Sequence, residues 1–182
     1  MDLRNRRRLQ AGLIVAIFVL PIVVMLGLAL AGWVPHGRSY GEHIQPERDL
    51  AGMPVRLANG KPFAFGNRAA IWTLVALPGP DCAAHCLRQL DLVHRARISL
   101  GRHADKLRLV YLGAPPSGAA AKGFEQVWTL ATTPSNVLED LRTGTRDSVS
   151  AVLVTPTGKA LTRYAANFDP TGLREDLNKV VH

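Results

Sequence analysis

The sequence feature that most constrains this chain is an apolar run of 24 residues, Ala11 to Val34, which contains no charged side chain. About 20 such residues suffice to cross a bilayer's hydrocarbon core as a helix, so the run predicts a transmembrane helix over residues 11–34. The tail before it, residues 1–10, carries four closely spaced arginines, which favours a cytoplasmic N-terminus. A cleaved signal peptide with Ala29-Leu30-Ala31 as its cleavage site is the alternative, but the run exceeds the roughly 7–15 residues of a signal peptide's apolar segment. The sequence therefore predicts a single-pass membrane protein whose C-terminal domain lies on the side of the membrane opposite the cytoplasm.

The charge of the chain does not indicate a nucleic-acid partner. Its formal net charge is +8 at pH 7, a sign that would suit a phosphate backbone. However, four of the positive charges belong to the tail before the predicted membrane helix, and the other basic residues are scattered among acidic ones. We interpret the excess as a solvated, mildly basic surface and expect no nucleic acid as partner.

Beyond the predicted membrane helix, the sequence indicates a linker and one domain. Residues 35–53 are rich in glycine, proline and charge and lack strand or helix periodicity, which is typical of a linker. The remainder, residues 54–182, has the usual size of a single domain. Its apolar run Ala69–Leu77 suits a strand that is buried on both faces. The residues after it, Pro78-Gly79-Pro80-Asp81, end the strand, and Asp81 is suited to cap a helix that starts at Cys82.

The other elements complete an α/β pattern. Leu107–Ala114 reads as a second apolar strand, and its distance from the first suits a right-handed crossover with parallel pairing. We also predict a hairpin around Asn59-Gly60, a short helix within Gly123–Thr132, a hairpin over Val149–Ala165 and a final helix opened by Asp169-Pro170. This order gives a mixed sheet with flanking helices on both faces, and it resembles the thioredoxin fold.

Cys82 and Cys86 are the only cysteines of the chain. A disulfide between them would close a very short loop and constrain the unfolded chain little, so it would serve chemistry rather than stability. A thiolate in a helix's first turn is stabilised by unsatisfied backbone N–H groups and the positive end of the helix dipole, which lower the thiol pKa. We therefore expect Cys82 to be the more reactive sulfur. His85 lies near both on the predicted helix, where it would either join them as a metal ligand or tune Cys82 electrostatically.

The predicted anchor, the thioredoxin-like order of elements and the CxxxC motif after an apolar strand together resemble the Sco family, copper chaperones for cytochrome c oxidase. This resemblance covers most of residues 53–182. The short stretch CLRQLDLVHRAR, which begins at Cys86, is similar to small membrane-anchored Sco-like proteins of proteobacteria, and this narrower resemblance implies an inner-membrane protein with a periplasmic domain. The resemblance to the Sco family implies copper binding through Cys82 and Cys86 together with a distant histidine. The place of that histidine, counted back from the turn Thr155-Pro156-Thr157-Gly158, holds Asp147 in this chain. Because a carboxylate is a poor ligand for copper(I), this departure weakens the expectation of copper binding.

The resemblance suggests a function in oxidase assembly. The Cys82/Cys86 couple would keep the copper-site cysteines of a partner reduced or transfer copper transiently, and the partner would be an oxidase subunit or a copper chaperone. Val149 and Ser150 stand where thioredoxin-type oxidoreductases have a cis-proline, which favours a dedicated thiol-disulfide oxidoreductase over a broad one. The alternative is a non-catalytic, membrane-tethered interaction domain with an inert cysteine pair. A peroxiredoxin-like peroxidase is a third, and the exported region lacks the HExxH, GxSxG and phosphate-loop motifs of other enzymes.

Overall fold

The computed structural model of the chain describes residues 13, 17–27, 39–116, 123–134 and 136–181. The chain divides into two units, Met1–Arg38 and Ser39–His182. In the first unit, residues 17–27 are helical and their side chains are exposed. The rest of the predicted membrane helix, apart from residue 13, lies outside the described residues, as does the basic tail. Among the residues that are described, no helix is both long and apolar enough to cross a membrane.

The second unit is built on one mixed sheet, to which the described part of the chain contributes eight strands. They are β1 (Glu42–Asp49), β2 (Val55–Leu57), β3 (Pro62–Phe63), β4 (Trp72–Pro78), β5 (Leu107–Leu112), β6 (Thr129–Thr132), β7 (Val149–Val154) and β8 (Lys159–Tyr164). Their order in the sheet is β1-β8-β7-β4-β5-β6-β2-β3. β5 pairs in parallel with β4 and β6, and all other neighbours are antiparallel. The parallel pairing predicted for the two apolar strands is confirmed.

β4 lies in the middle of the sheet because its side chains are apolar on both faces. Leu74 and Ala76 belong to the hydrophobic cluster on one face, and Val75 and Leu77 belong to the cluster on the other. None of the four is more than 2% exposed. A strand with apolar residues at every position is stable only where both faces are covered, and this burial confirms the prediction for β4.

In the described part of this unit, the α-helices are α1 (Ala84–Ile98), the single turn α2 (Phe124–Val127) and α3 (Pro170–Val180). α1 and α3 pack on the same face of the sheet, since both contribute to the cluster that contains Leu74. The opposite face is covered mainly by loop residues such as Leu50 and Phe65. The expectation of helices on both faces is therefore wrong for the two long helices.

β1 lies within residues 35–53, the region that the sequence indicated as a linker. It is an outer strand that pairs only with β8, and Ile44 is its one buried residue. A strand with a single inward apolar side chain leaves no alternating pattern in the sequence. The sheet therefore begins before residue 54, which corrects the predicted boundary.

The region Gly123–Thr132 also differs from the single short helix predicted for it. α2 covers only one turn, and Trp128 already has an extended backbone at the start of β6. The Trp128 ring stacks on Phe124 at 6.0 Å and lies edge-on to Tyr111 at 6.5 Å. Phe124 thus belongs to the one-turn helix, and Trp128 is the extended residue between that helix and β6.

A buried carboxylate ties the beginning of this unit to its last helix. Asp176 of α3 is 5% exposed. Its Oδ2 atom accepts hydrogen bonds from the backbone N–H groups of Tyr40 at 2.7 Å and Gly41 at 2.9 Å, and from the hydroxyl of Ser39 at 3.1 Å. α3 itself begins as predicted, because Asp169 accepts the backbone N–H of Thr171 at 3.0 Å. The segment before β1 is therefore fixed to α3.

Candidate redox site

The two cysteines lie at the corner where β4 passes into α1. β4 ends at Pro78 and α1 begins at Ala84, so the motif occupies the intervening turn and the first turn of the helix. A disulfide joins Cys82 to Cys86, whose Cα atoms are 5.2 Å apart. This strand-to-helix corner is the location that the sequence predicted for them.

α1 begins two residues later than predicted, so Cys82 precedes the helix. Asp81, the expected cap, has a left-handed backbone with φ of +57°, and its carboxylate pairs with Arg146 at 2.9 Å. A residue in this conformation turns the chain away from helical geometry. The N-cap residue is Ala83, whose side chain has no hydrogen-bonding atom. The prediction that Asp81 caps α1 is therefore wrong.

The side chain that caps α1 comes from Asp147, which lies 64 residues after Ala83 in the chain. One carboxylate oxygen accepts the backbone N–H groups of Ala83 at 2.8 Å and Cys86 at 2.9 Å, and the other accepts that of His85 at 3.0 Å. The hydrogen bond from Cys86, followed by those from His85 and Ala83, holds the pKa of Asp147 below its usual range. The sequence identified Asp147 only as the residue in a histidine's place, and its role as a cap was missed.

Asp147 belongs to a loop, residues 142–148, that packs against the motif corner and is called the capping loop below. The backbone N–H of Gly79 donates to the Ser148 carbonyl at 2.9 Å, and that of Asp147 donates to the Pro80 carbonyl at 3.1 Å. A Cβ atom on Gly79 would lie 2.3 Å from the carbonyl oxygen of Thr145. Only glycine allows this approach, so the capping loop and the motif corner are fitted to each other.

Arg142 anchors the capping loop to the central strands. Its Nη1 atom donates to the carbonyl of Pro78 at 2.7 Å, and Nη2 donates to that of Leu112 at 3.2 Å. These carbonyls belong to the last residues of β4 and β5, so one guanidinium group joins the carboxyl ends of both strands. No local sequence pattern predicts this role, because it depends on contacts between distant segments.

The two sulfurs differ in their access to solvent. Cys86 is fully buried in the cluster beneath α1, whereas Cys82 is partly exposed and packs at the margin of that cluster. His85 is exposed, and its Nδ1 atom lies 3.2 Å from the carbonyl oxygen of Asp147. Within the described ranges, no group of three or more His, Cys, Asp or Glu residues is arranged to hold a metal ion. The site thus presents one sulfur for attack and shields the other.

The sequence family described as "Transmembrane-like, thioredoxin-like, C-terminal domain" matches residues 72–182, more than half of the chain. The chain belongs to this family. The match begins with β4, so the cysteine pair, α1 and the capping loop all lie within the transmembrane-like, thioredoxin-like C-terminal domain. None of the curated proteins compared with the chain matches it.

Solved structures share this fold. BsSco, described as a member of the Sco family of cytochrome c oxidase assembly proteins, is 14% identical with a TM-score of 0.52, and the match covers 75% of this chain and 95% of that one. A putative thiol:disulfide interchange protein DsbE from Chlorobium tepidum is 14% identical with a TM-score of 0.50, covering 78% and 97%. A putative electron transport protein from Aquifex aeolicus is 14% identical with a TM-score of 0.50, covering 71% and 94%. The predicted thioredoxin-like family is confirmed by the match over residues 72–182, and identities as low as those of the solved structures show the fold alone.

Proposed function

We propose that this protein is a membrane-anchored assembly factor for cytochrome c oxidase that acts by thiol-disulfide exchange through Cys82 and Cys86. The observation that carries the proposal is a disulfide at a strand-to-helix corner with one sulfur partly exposed and the other buried. The apolar run over residues 11–34 and the family's description support a membrane anchor with a periplasmic domain. The likeness to BsSco supports an oxidase subunit or a copper chaperone as the partner.

The difference in burial assigns the order of the exchange. In the reduced protein, the thiolate of Cys82 attacks one sulfur of a partner disulfide, and the partner's other sulfur leaves as a thiolate. Cys86 then attacks the sulfur of Cys82, which forms the Cys82–Cys86 disulfide and releases the partner's second thiolate. Two electrons pass from the protein to the partner, and the two thiol protons end on the partner's cysteines.

Copper transfer is the second candidate, which the two thiols and the neighbouring His85 imidazole favour as soft donors. The site is less suited to copper binding than to thiol-disulfide exchange. Asp147 stands in the expected place of the third copper ligand, and its carboxylate already accepts backbone N–H groups. Copper(I) stoichiometry of the reduced full-length protein separates the two. If the protein transfers copper, it should bind copper(I) tightly, and His85→Ala should weaken that binding. Thiol-disulfide exchange alone requires no copper binding.

Trapping of the mixed disulfide tests the proposal. In Cys86→Ser, the disulfide of Cys82 with its partner has no resolving thiol, so a covalent complex should accumulate in cells and disappear on reduction. Cys82→Ser is the matched control, because its remaining sulfur at Cys86 is buried and should trap little. Absence of a complex in Cys86→Ser, or normal oxidase assembly in a Cys82→Ala and Cys86→Ala double variant, contradicts the proposal.

The rival is a non-catalytic interaction domain with an inert disulfide. Alkylation distinguishes the two, because a working thiol reacts quickly once the disulfide has been reduced. After mild reduction of the full-length protein, Cys82 should be alkylated faster than Cys86. Slow modification of both, or a disulfide that resists mild reductant, favours the interaction domain.

A further inference from the structure

The N-terminus of α1 is capped by a carboxylate, that of Asp147. A thiolate at such a position is normally stabilised by backbone N–H groups that lack partners within the helix. Here the N–H groups of Ala83, His85 and Cys86 all donate to Asp147. The groups that would stabilise a sulfur anion are therefore already engaged by a fixed carboxylate.

The same carboxylate contacts the backbone at or next to both cysteines. One of its oxygens accepts the N–H of Cys86 itself and that of Ala83, the residue directly after Cys82. A thiolate on either cysteine would form close to this negative charge, which is unfavourable, whereas the disulfide is uncharged. The carboxylate thus raises the free energy of a thiolate and leaves that of the disulfide unchanged, so at a pH near or above the thiol pKa it raises the free energy of the reduced pair.

We propose that Asp147 is a positioning residue that makes the Cys82/Cys86 pair an electron donor. By favouring the disulfide over the dithiol, it directs electrons from the pair to a partner. The inference rests on the proposed function, because it names the residue that favours electron transfer to the partner in the same exchange. The partner it fits is a protein with an oxidised cysteine pair, and a separate dithiol reductant must regenerate Cys82 and Cys86 after each cycle.

The reduction potential tests this role. The full-length protein in detergent is equilibrated with glutathione buffers at about pH 9.5, above the usual thiol pKa of about 8.5, and the reduced fraction is measured by alkylation after acid quenching. Asp147→Asn keeps the side chain's shape and removes its charge, so the equilibrium should shift about tenfold toward the dithiol, which is about 30 mV for a two-electron couple. Asp81→Asn is the matched control, because Asp81 adjoins Cys82 but pairs with Arg146, and it should shift the equilibrium less than about twofold.

A second variant keeps the test independent of whether Asp147→Asn folds. Ala84 is the exposed first residue of α1, so Ala84→Glu adds a negative charge at this helix end without removing the cap, and should shift the equilibrium severalfold toward the disulfide. An unshifted or opposite potential in Asp147→Asn, an equal shift in Asp81→Asn, or a shift toward the dithiol in Ala84→Glu overturns the inference. Failure of the proposed function looks different, since Cys86→Ser then traps no partner while the potentials still shift.

Discussion

Replacement of Asp176 by asparagine should destabilise the domain through the segment before β1. The carboxylate is 5% exposed and accepts the N–H groups of Tyr40 and Gly41 and the hydroxyl of Ser39. Hydrogen bonds to a charged acceptor contribute about 1.5–3 kcal/mol each, and the amide keeps one acceptor oxygen. We therefore expect the free energy of unfolding to fall by about 2 kcal/mol, which for a domain of this size lowers Tm by roughly 5–10 °C.

The effect should depend on pH. Burial acts to raise the pKa of Asp176, but hydrogen bonds from Gly41, Lys179, Ser39 and Tyr40 outweigh it, so the pKa lies below its usual value. A carboxyl group with a depressed folded pKa stabilises the protein above its unfolded pKa, and this stabilisation is lost as the pH falls through the folded pKa. The difference in stability between wild type and Asp176→Asn should be complete near neutral pH and shrink below about pH 4.

Urea unfolding of the full-length protein in detergent, followed by tryptophan fluorescence at several pH values, measures this difference. Asp91→Asn is the matched control, because Asp91 is an exposed residue whose ion pair with Arg95 should contribute less than about 0.5 kcal/mol. Equal stability of wild type and Asp176→Asn at neutral pH would refute the reasoning. So would a difference that stays undiminished well below the usual pKa of an aspartate.

Three further substitutions test packing and capping. Gly79→Ala should cost about 2 kcal/mol of unfolding free energy, because its Cβ would lie 2.3 Å from the Thr145 carbonyl oxygen; equal urea midpoints would contradict the fitted contact between the motif corner and the capping loop. Asp169→Ala should cost about 1 kcal/mol by removing the cap of α3, and a Tm equal to that of wild type would count against that cap. Leu153→Ala should cost about 3 kcal/mol because this side chain of β7 is 1% exposed, and a loss below about 1 kcal/mol in urea would show that the core tolerates the cavity.

The parts of the fold that depend on neighbouring residues were predictable. β4 and β5 are mostly apolar, with Thr73 and Arg108 as their polar members, and such stretches indicate buried strands without knowledge of their partners. The turn at Gly60, with φ of +78°, needs a residue that tolerates a positive φ, and Asn59-Gly60 signals it. The opening of α3 at Asp169 likewise follows from a cap and a proline that are adjacent in the chain.

The parts that depend on distant residues were not predictable. The sequence near Cys82 contains a good capping residue in Asp81, but the carboxylate that caps α1 comes from Asp147, and a separation of 64 residues leaves no local pattern. β1 was missed because its one buried residue, Ile44, carries no periodicity. The two cysteines could be located from the sequence, whereas the position of the Asp147 carboxylate at the motif's backbone could not.

The outermost strands of the described sheet are poor templates for a foreign strand. β3 contains two residues, and the pairing of β1 with β8 shifts register between His43 and Arg48. Pro46 in this interval has no N–H to donate, and charged side chains follow it. Short, interrupted and charged edges protect natural sheets from joining edge to edge. Copies held close together on one membrane would therefore resist pairing of their sheet edges. This protection comes from the edge strands and is independent of the cysteines.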